Sequence, residues 1–133
     1  DQDGDGHGVF AQQFASDGTK EGEEFQLNTK SSDHQAYPVV AGLTDQRYAV
    51  AWHDSLWDTS DSEVVVTVVE PEGQQNVLPM TVNTHLPGRQ QHPSVAGLPN
   101  GAFIVVWASY GQDGDSYGIF AQRFNPDGTK KYH

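Results

Sequence analysis

Shifted by 55 positions, this chain lies over itself without a gap. Pro38, Ala41, Gly42, Leu43 and Trp52 fall on Pro93, Ala96, Gly97, Leu98 and Trp107, and Asn28, Thr29 and Gln35 fall on Asn83, Thr84 and Gln90. A shift of 110 carries Gln2, Asp3, Gly4, Asp5, Gly8, Phe10, Ala11, Gln12, Phe14, Asp17, Gly18, Thr19 and Lys20 onto identical residues, so three copies share one register. A period of this length belongs to propellers, solenoids and arrays, whose units bury their apolar faces by stacking on neighbours. The copies divide the 133 residues into a partial repeat at 1–29, a full repeat at 30–84 and a third at 85–133 that lacks its last strand.

Within each copy the pattern is that of short strands between turns. β-branched and aromatic runs predict strands at Val9–Phe14, Glu24–Asn28, Pro38–Leu43, Tyr48–Trp52, Val64–Val69, Met80–Asn83, Ser94–Leu98, Phe103–Trp107 and Gly118–Phe124. Asp17-Gly18, Pro71-Glu72-Gly73 and Pro99-Asn100-Gly101 supply turns. No window has a 3.6-residue period, and 14 Gly and 7 Pro are spread along the chain, which argues against helix. The second strand of the second and third copies, Ala49–Trp52 and Ile104–Trp107, is apolar on both faces, which predicts cover on both sides. The expectation is an all-β protein of antiparallel four-stranded repeats of about 55 residues, a β-propeller-like segment, with a nine-stranded β-sandwich as the alternative. Two, four and three strands cannot close a ring of at least ~4 blades. The chain is therefore either part of a longer repeat protein or a homo-oligomer joined through open edge strands.

Charge narrows the partners. There are 18 acidic residues against 7 basic ones, for a net charge of −11, which disfavours nucleic acid and anionic membrane and favours cations or basic surfaces. No cysteine is present, so disulfides and thiolate metal sites are excluded. No apolar run reaches the ~18 residues of a membrane-spanning helix.

Asp1, Asp3 and Asp5, alternating before Gly6, have the opening spacing of an oxygen-ligand calcium loop, although Gln12 stands where an EF-hand places its bidentate Glu. Asp113 and Asp115 keep two of these carboxylates in the third copy. The competing reading is that Asp-Gly pairs simply serve tight turns. Gln12 and Gln122 alternate with phenylalanines and require hydrogen-bond partners on an apolar face, and Trp52 and Trp107 end matched strands as core residues. The six histidines do not recur in register and read as separate surface choices. The loop from His53 departs most from the other copies. There Trp57 has no core counterpart, and with His53, Asp54 and Asp58 beside it forms a candidate ligand platform, apolar stacking with polar orientation suiting a sugar ring. The competing role for Trp57 is cover for a neighbouring loop. No Ser-His-Asp grouping, phosphate loop or zinc motif is present.

The run Gln90-x-x-Pro93-x-Val95-Ala96-x-Leu98-x-x-Gly101-x-Phe103-x-Val105-x-Trp107, followed by Gln112-Asp113-Gly114 and Gly118–Phe124, resembles a tandem repeat of large secreted bacterial adhesin-like proteins, often found beside hemolysin-type calcium-binding repeats. The resemblance implies a secreted or cell-surface, calcium-linked, non-catalytic module of adhesins or polysaccharide-active enzymes. The combined expectation is a Ca2+-stabilised binding module for a glycan or cell-surface polysaccharide. A purely structural spacer and a polysaccharide-degrading domain are the alternatives.

Overall fold

The computed structural model describes residues 7–29, 34–55, 61–73, 75–85, 87–114 and 116–132, with the backbone alone at 76–78. Over these residues the chain is all-β, with a single 3-10 turn at Thr44–Gln46. The strands are β1 (Phe10–Phe14), β2 (Lys20–Gln26), β3 (His34–Gly42), β4 (Tyr48–Ser55), β5 (Ser62–Val69), β6 (Gln75–Thr81), β7 (Gln90–Gly97), β8 (Phe103–Tyr110) and β9 (Tyr117–Phe124). They form three antiparallel sheets in chain order: β1-β2, β3-β4-β5-β6 and β7-β8-β9. β2, β3, β6 and β7 begin earlier than the apolar pattern predicts, and β4 and β8 run on to Ser55 and Tyr110, so His53 and Asp54 stand in a strand and not in the loop expected from His53. The opening of β2, Lys20 to Glu24, is polar because it is exposed at a sheet edge, where charge discourages pairing with other chains.

The four-stranded sheet lies in the middle, and pleating alternates its side chains between two cores. Ala49, Ala51, Val64, Val66 and Val68 pack with Phe103, Val105, Trp107 and Phe124 of the third sheet. Val50, Trp52, Val65 and Val69 face the other way, onto Val9 and Leu27 beside the first sheet. Each aliphatic side chain fully buried in this way contributes about 1.5–3 kcal/mol. Trp52 and Trp107 are core residues, only 1% and 5% exposed. Cover on both faces holds for β4 but not for β8, whose residues alternate between buried and half-exposed. The reason is position: β4 lies between two sheets, whereas the outer face of β8 meets none among the described residues.

The offset of 55 survives in the packing. Added to Val9, Ala11, Phe25, Leu27, Tyr48, Val50, Trp52, Val65 and Val69, it gives Val64, Val66, Met80, Val82, Phe103, Val105, Trp107, Phe120 and Phe124, every one a member of the other core. Hydrogen bonds follow: Val9 N–H donates to Asn28 Oδ1 at 2.8 Å, and Val64 N–H to Asn83 Oδ1 at 2.9 Å. The amides of Gln12 and Gln122 find their partners at the sheet edges. Gln12 Nε2 donates to the carbonyls of Gln13 and Glu21, and Gln122 Nε2 to those of Arg123 and Lys131.

Candidate functional site

The first strands of the second and third sheets each carry an irregularity at one repeat position. Register slips between Ala36 and Val39, and again between Gln91 and Ser94. At these bulges Tyr37 has φ 55° and His92 has φ 53°, a left-handed backbone that non-glycine residues seldom adopt and that costs on the order of 1–3 kcal/mol each. Both precede a proline, Pro38 and Pro93, which itself disfavours a right-handed helical conformation at the residue before it. Such strain is concentrated at functional sites.

The consequence is an aromatic row. The Tyr37 ring sits 5.3 Å from His53 and 5.9 Å from His92, and it is 63% exposed. Around it opens a cleft of about 470 Å³ whose polar walls include His34, His53, Ser55, Asp61, Arg89 and Gln91. His7 closes one end, its ring 5.3 Å from that of His34. β4 supplies His53 and Ser55 from one face of its pleat, and His53 Nε2 is 2.6 Å from Ser55 Oγ. Burial, with His92 nearby, pushes the His53 imidazole below its ordinary value of 6.5, so it is neutral at pH 7. A neutral imidazole, a guanidinium, a carboxylate and an amide around an exposed phenol ring can orient hydroxyl groups of a ligand lying on that ring.

Of the residues singled out from the sequence, His53 lines this cleft and Asp54 does not. Successive strand residues point to opposite faces. Asp54 is 3% exposed and accepts a hydrogen bond from Gln35 Nε2 at 3.1 Å, while Asn28 Nδ2 donates to Gln35 Oε1 at 3.1 Å. This buried chain ties the segment after β2 to the middle sheet, so Asp54 is placed for cohesion. Trp57 and Asp58 lie outside the described residues, on the segment 56–60 that joins Ser55 to Asp61, both cleft residues. Asp1, Asp3, Asp5 and Asp115 also lie outside them. Asp113 stands in an exposed turn with its Oδ2 over Gly118, where a Cβ would be 2.5 Å away. The neighbouring Gln112 Oε1 is buried and has no hydrogen-bond partner among the described residues. Among the described residues no three His, Asp or Glu side chains gather as metal ligands.

The histidines correct the sequence reading. Four of them, His7, His34, His53 and His92, come to this one region, although none recurs at the 55-residue offset. Periodicity was blind to them because they reach the cleft from different strands and different repeat positions. The available signal was a ring-bearing residue before proline at both 37 and 92. No family model, no curated protein and no solved structure matches the chain.

Proposed function

We propose that the chain is a non-catalytic, secreted or cell-surface glycan-binding module, with its sheets stacked as blades of an open, propeller-like repeat. Tyr37 carries this reading: an exposed aromatic ring, held at a strained backbone position above a polar cleft, is a platform for a pyranose ring, whose apolar face stacks while its hydroxyls bond to the walls. The recurrence of strands and core contacts at a spacing of 55 supports the blade-like stacking. Titration of the chain with a panel of soluble polysaccharides, followed by intrinsic fluorescence and calorimetry, tests the site. Tyr37→Ala is expected to lower glycan affinity at least tenfold while leaving the melting temperature unchanged, since alanine keeps the Cβ and with it the backbone strain. Binding that survives Tyr37→Ala would remove the ring from the site.

Calcium is proposed at the acidic loops, which the described residues represent only through Asp113 and Gln112. These provide a carboxylate and an unpartnered amide oxygen. Ca2+ takes about 6–8 oxygens, so Asp115, backbone carbonyls or water would complete the set, and the expected dissociation constant is on the order of 10⁻⁴ to 10⁻³ M. The chelated protein should melt several degrees lower than the protein in millimolar Ca2+. Equal melting temperatures would refute calcium stabilisation.

A further inference from the structure

A second cleft, of about 510 Å³, lies between β1 and the start of the middle sheet, lined by Phe10, Phe14, Val39, Val40, Tyr48 and Val50 among others. We propose that it is a docking site for a β-hairpin with the pattern of this repeat's own first two strands, added in trans to the free edge of β1.

The argument rests on the filled counterpart of the same cleft. Adding 55 to Val40, Tyr48 and Val50 gives Val95, Phe103 and Val105 of the third sheet. There Phe103 and Val105 are fully buried and Val95 packs on the core, because β7 lies beneath β3, β4 and β5. In the middle sheet Val40 is 66% exposed instead. The two cores differ accordingly. The larger contains every 55-shifted counterpart of the smaller, and most of its surplus is Val39, Leu43, Ala49 and Ala51 from the β3–β4 hairpin, with Val95 below it. A hairpin that presents small aliphatic side chains is what the smaller core lacks.

Two further observations give the occupant its geometry. β9 pairs with β8 on one edge, whereas among the described residues its counterpart β1, all five of whose residues line the cleft, pairs with β2 alone and has a second edge with no strand beside it. Addition of a strand to such an edge is an established recognition mode. The second observation is a glycine. Gly97 lies so close under β3 that a Cβ would collide with the carbonyl oxygen of Gly42, so only glycine fits there. Gly42 occupies the same repeat position, yet nothing lies within 4 Å of where its Cβ would be. It has the shape needed for a strand crossing that the described residues do not supply. The occupant is therefore a two-stranded antiparallel segment whose first strand crosses Gly42 backbone-to-backbone and whose second strand carries an Ala-x-Ala face and pairs with β1.

The probe is a fluorescently labelled synthetic peptide of residues 34–55, titrated into the full chain and read by anisotropy and by hydrogen exchange at β1. Saturable one-to-one binding is expected, with slowed exchange of the β1 amides. Gly42→Ala should weaken it at least tenfold without lowering the melting temperature, because the added methyl meets open space until a strand arrives. Ile119→Glu, on the outer face of the third sheet, should leave it unchanged. The proposal is overturned if the peptide does not bind, if Gly42→Ala binds it equally well, or if the chain forms a dimer that the peptide cannot compete away, which would put a second copy in the cleft.

Discussion

Replacing Gly97 by alanine probes the closest approach between two sheets, and its counterpart at Gly42 provides an internal control. Neither glycine has a positive φ, so in both places the backbone itself accepts a side chain. At position 97 the new methyl would run into the Gly42 carbonyl, which belongs to backbone and cannot swing aside. Relief requires the third sheet to move off the middle one, disturbing the packing of Phe103 and Val105. Overpacking of this kind costs about 1–3 kcal/mol. Against it stands a gain of about 0.4–1 kcal/mol from the smaller entropy of the unfolded chain. The net loss of about 1–2 kcal/mol lowers the melting temperature by about 3–8 °C for a domain of this size. Gly42→Ala keeps the gain without the collision and should stabilise by about 0.4–1 kcal/mol. Urea titration of the two variants beside the parent, with unchanged m-values, measures both effects. If Gly97→Ala were as stable as the parent, or the two variants shifted the same way, the close sheet contact would be wrong.

Phe103 and Phe124 stack at 4.8 Å, each fully buried, so Phe124→Ala should cost about 3–5 kcal/mol in the same urea assay. Asn83→Ala strands the Val64 N–H inside the core and should cost about 1–3 kcal/mol, more than any change at an exposed asparagine. Because His53 has a folded-state value below 6.5, the unfolded chain takes up its proton first as the medium is acidified. The stability it contributes is complete above pH 6.5 and is lost as pH falls from there through the folded value. His53→Gln should flatten that part of the pH–stability curve measured by thermal melting, and a curve unchanged in shape would refute a depressed imidazole.

The all-β, antiparallel character was legible because strands that pack on their neighbours must keep their apolar positions in a regular pattern. Trp52 and Trp107, in matched places, are consequently both in cores. Propensity found the apolar strands and missed the openings of β2, β3, β6 and β7 and the ends of β4 and β8, since the length of a strand is set by backbone pairing, which does not require apolar side chains. The cleft was largely illegible. A bulge is a fault in backbone pairing, and residues such as Tyr37 and His53 meet only after two strands pair, with no fixed spacing to announce it. Adjacency in sequence put His53 and Asp54 on one candidate ligand platform, and adjacency along a pleated strand sends them to opposite faces.

β5, Ser-Glu-Val-Val-Val-Thr-Val-Val, is the most buried strand of the middle sheet among the described residues, paired on both edges and covered on both faces. The properties that make it a good interior strand make it hazardous while it is unpaired: β-branched from Val64 to Val69, free of proline and glycine, with one charge at Glu63. Each time the outer sheets open, or before they first dock, this segment is a template for cross-β assembly. Its protection then is repulsion between chains, from the net charge of −11 and from the glutamates exposed along β2. Salt screens that repulsion, and acid removes it by protonating the carboxylates. The acidic surface is thus a colloidal safeguard for a valine-rich strand that the folded molecule conceals.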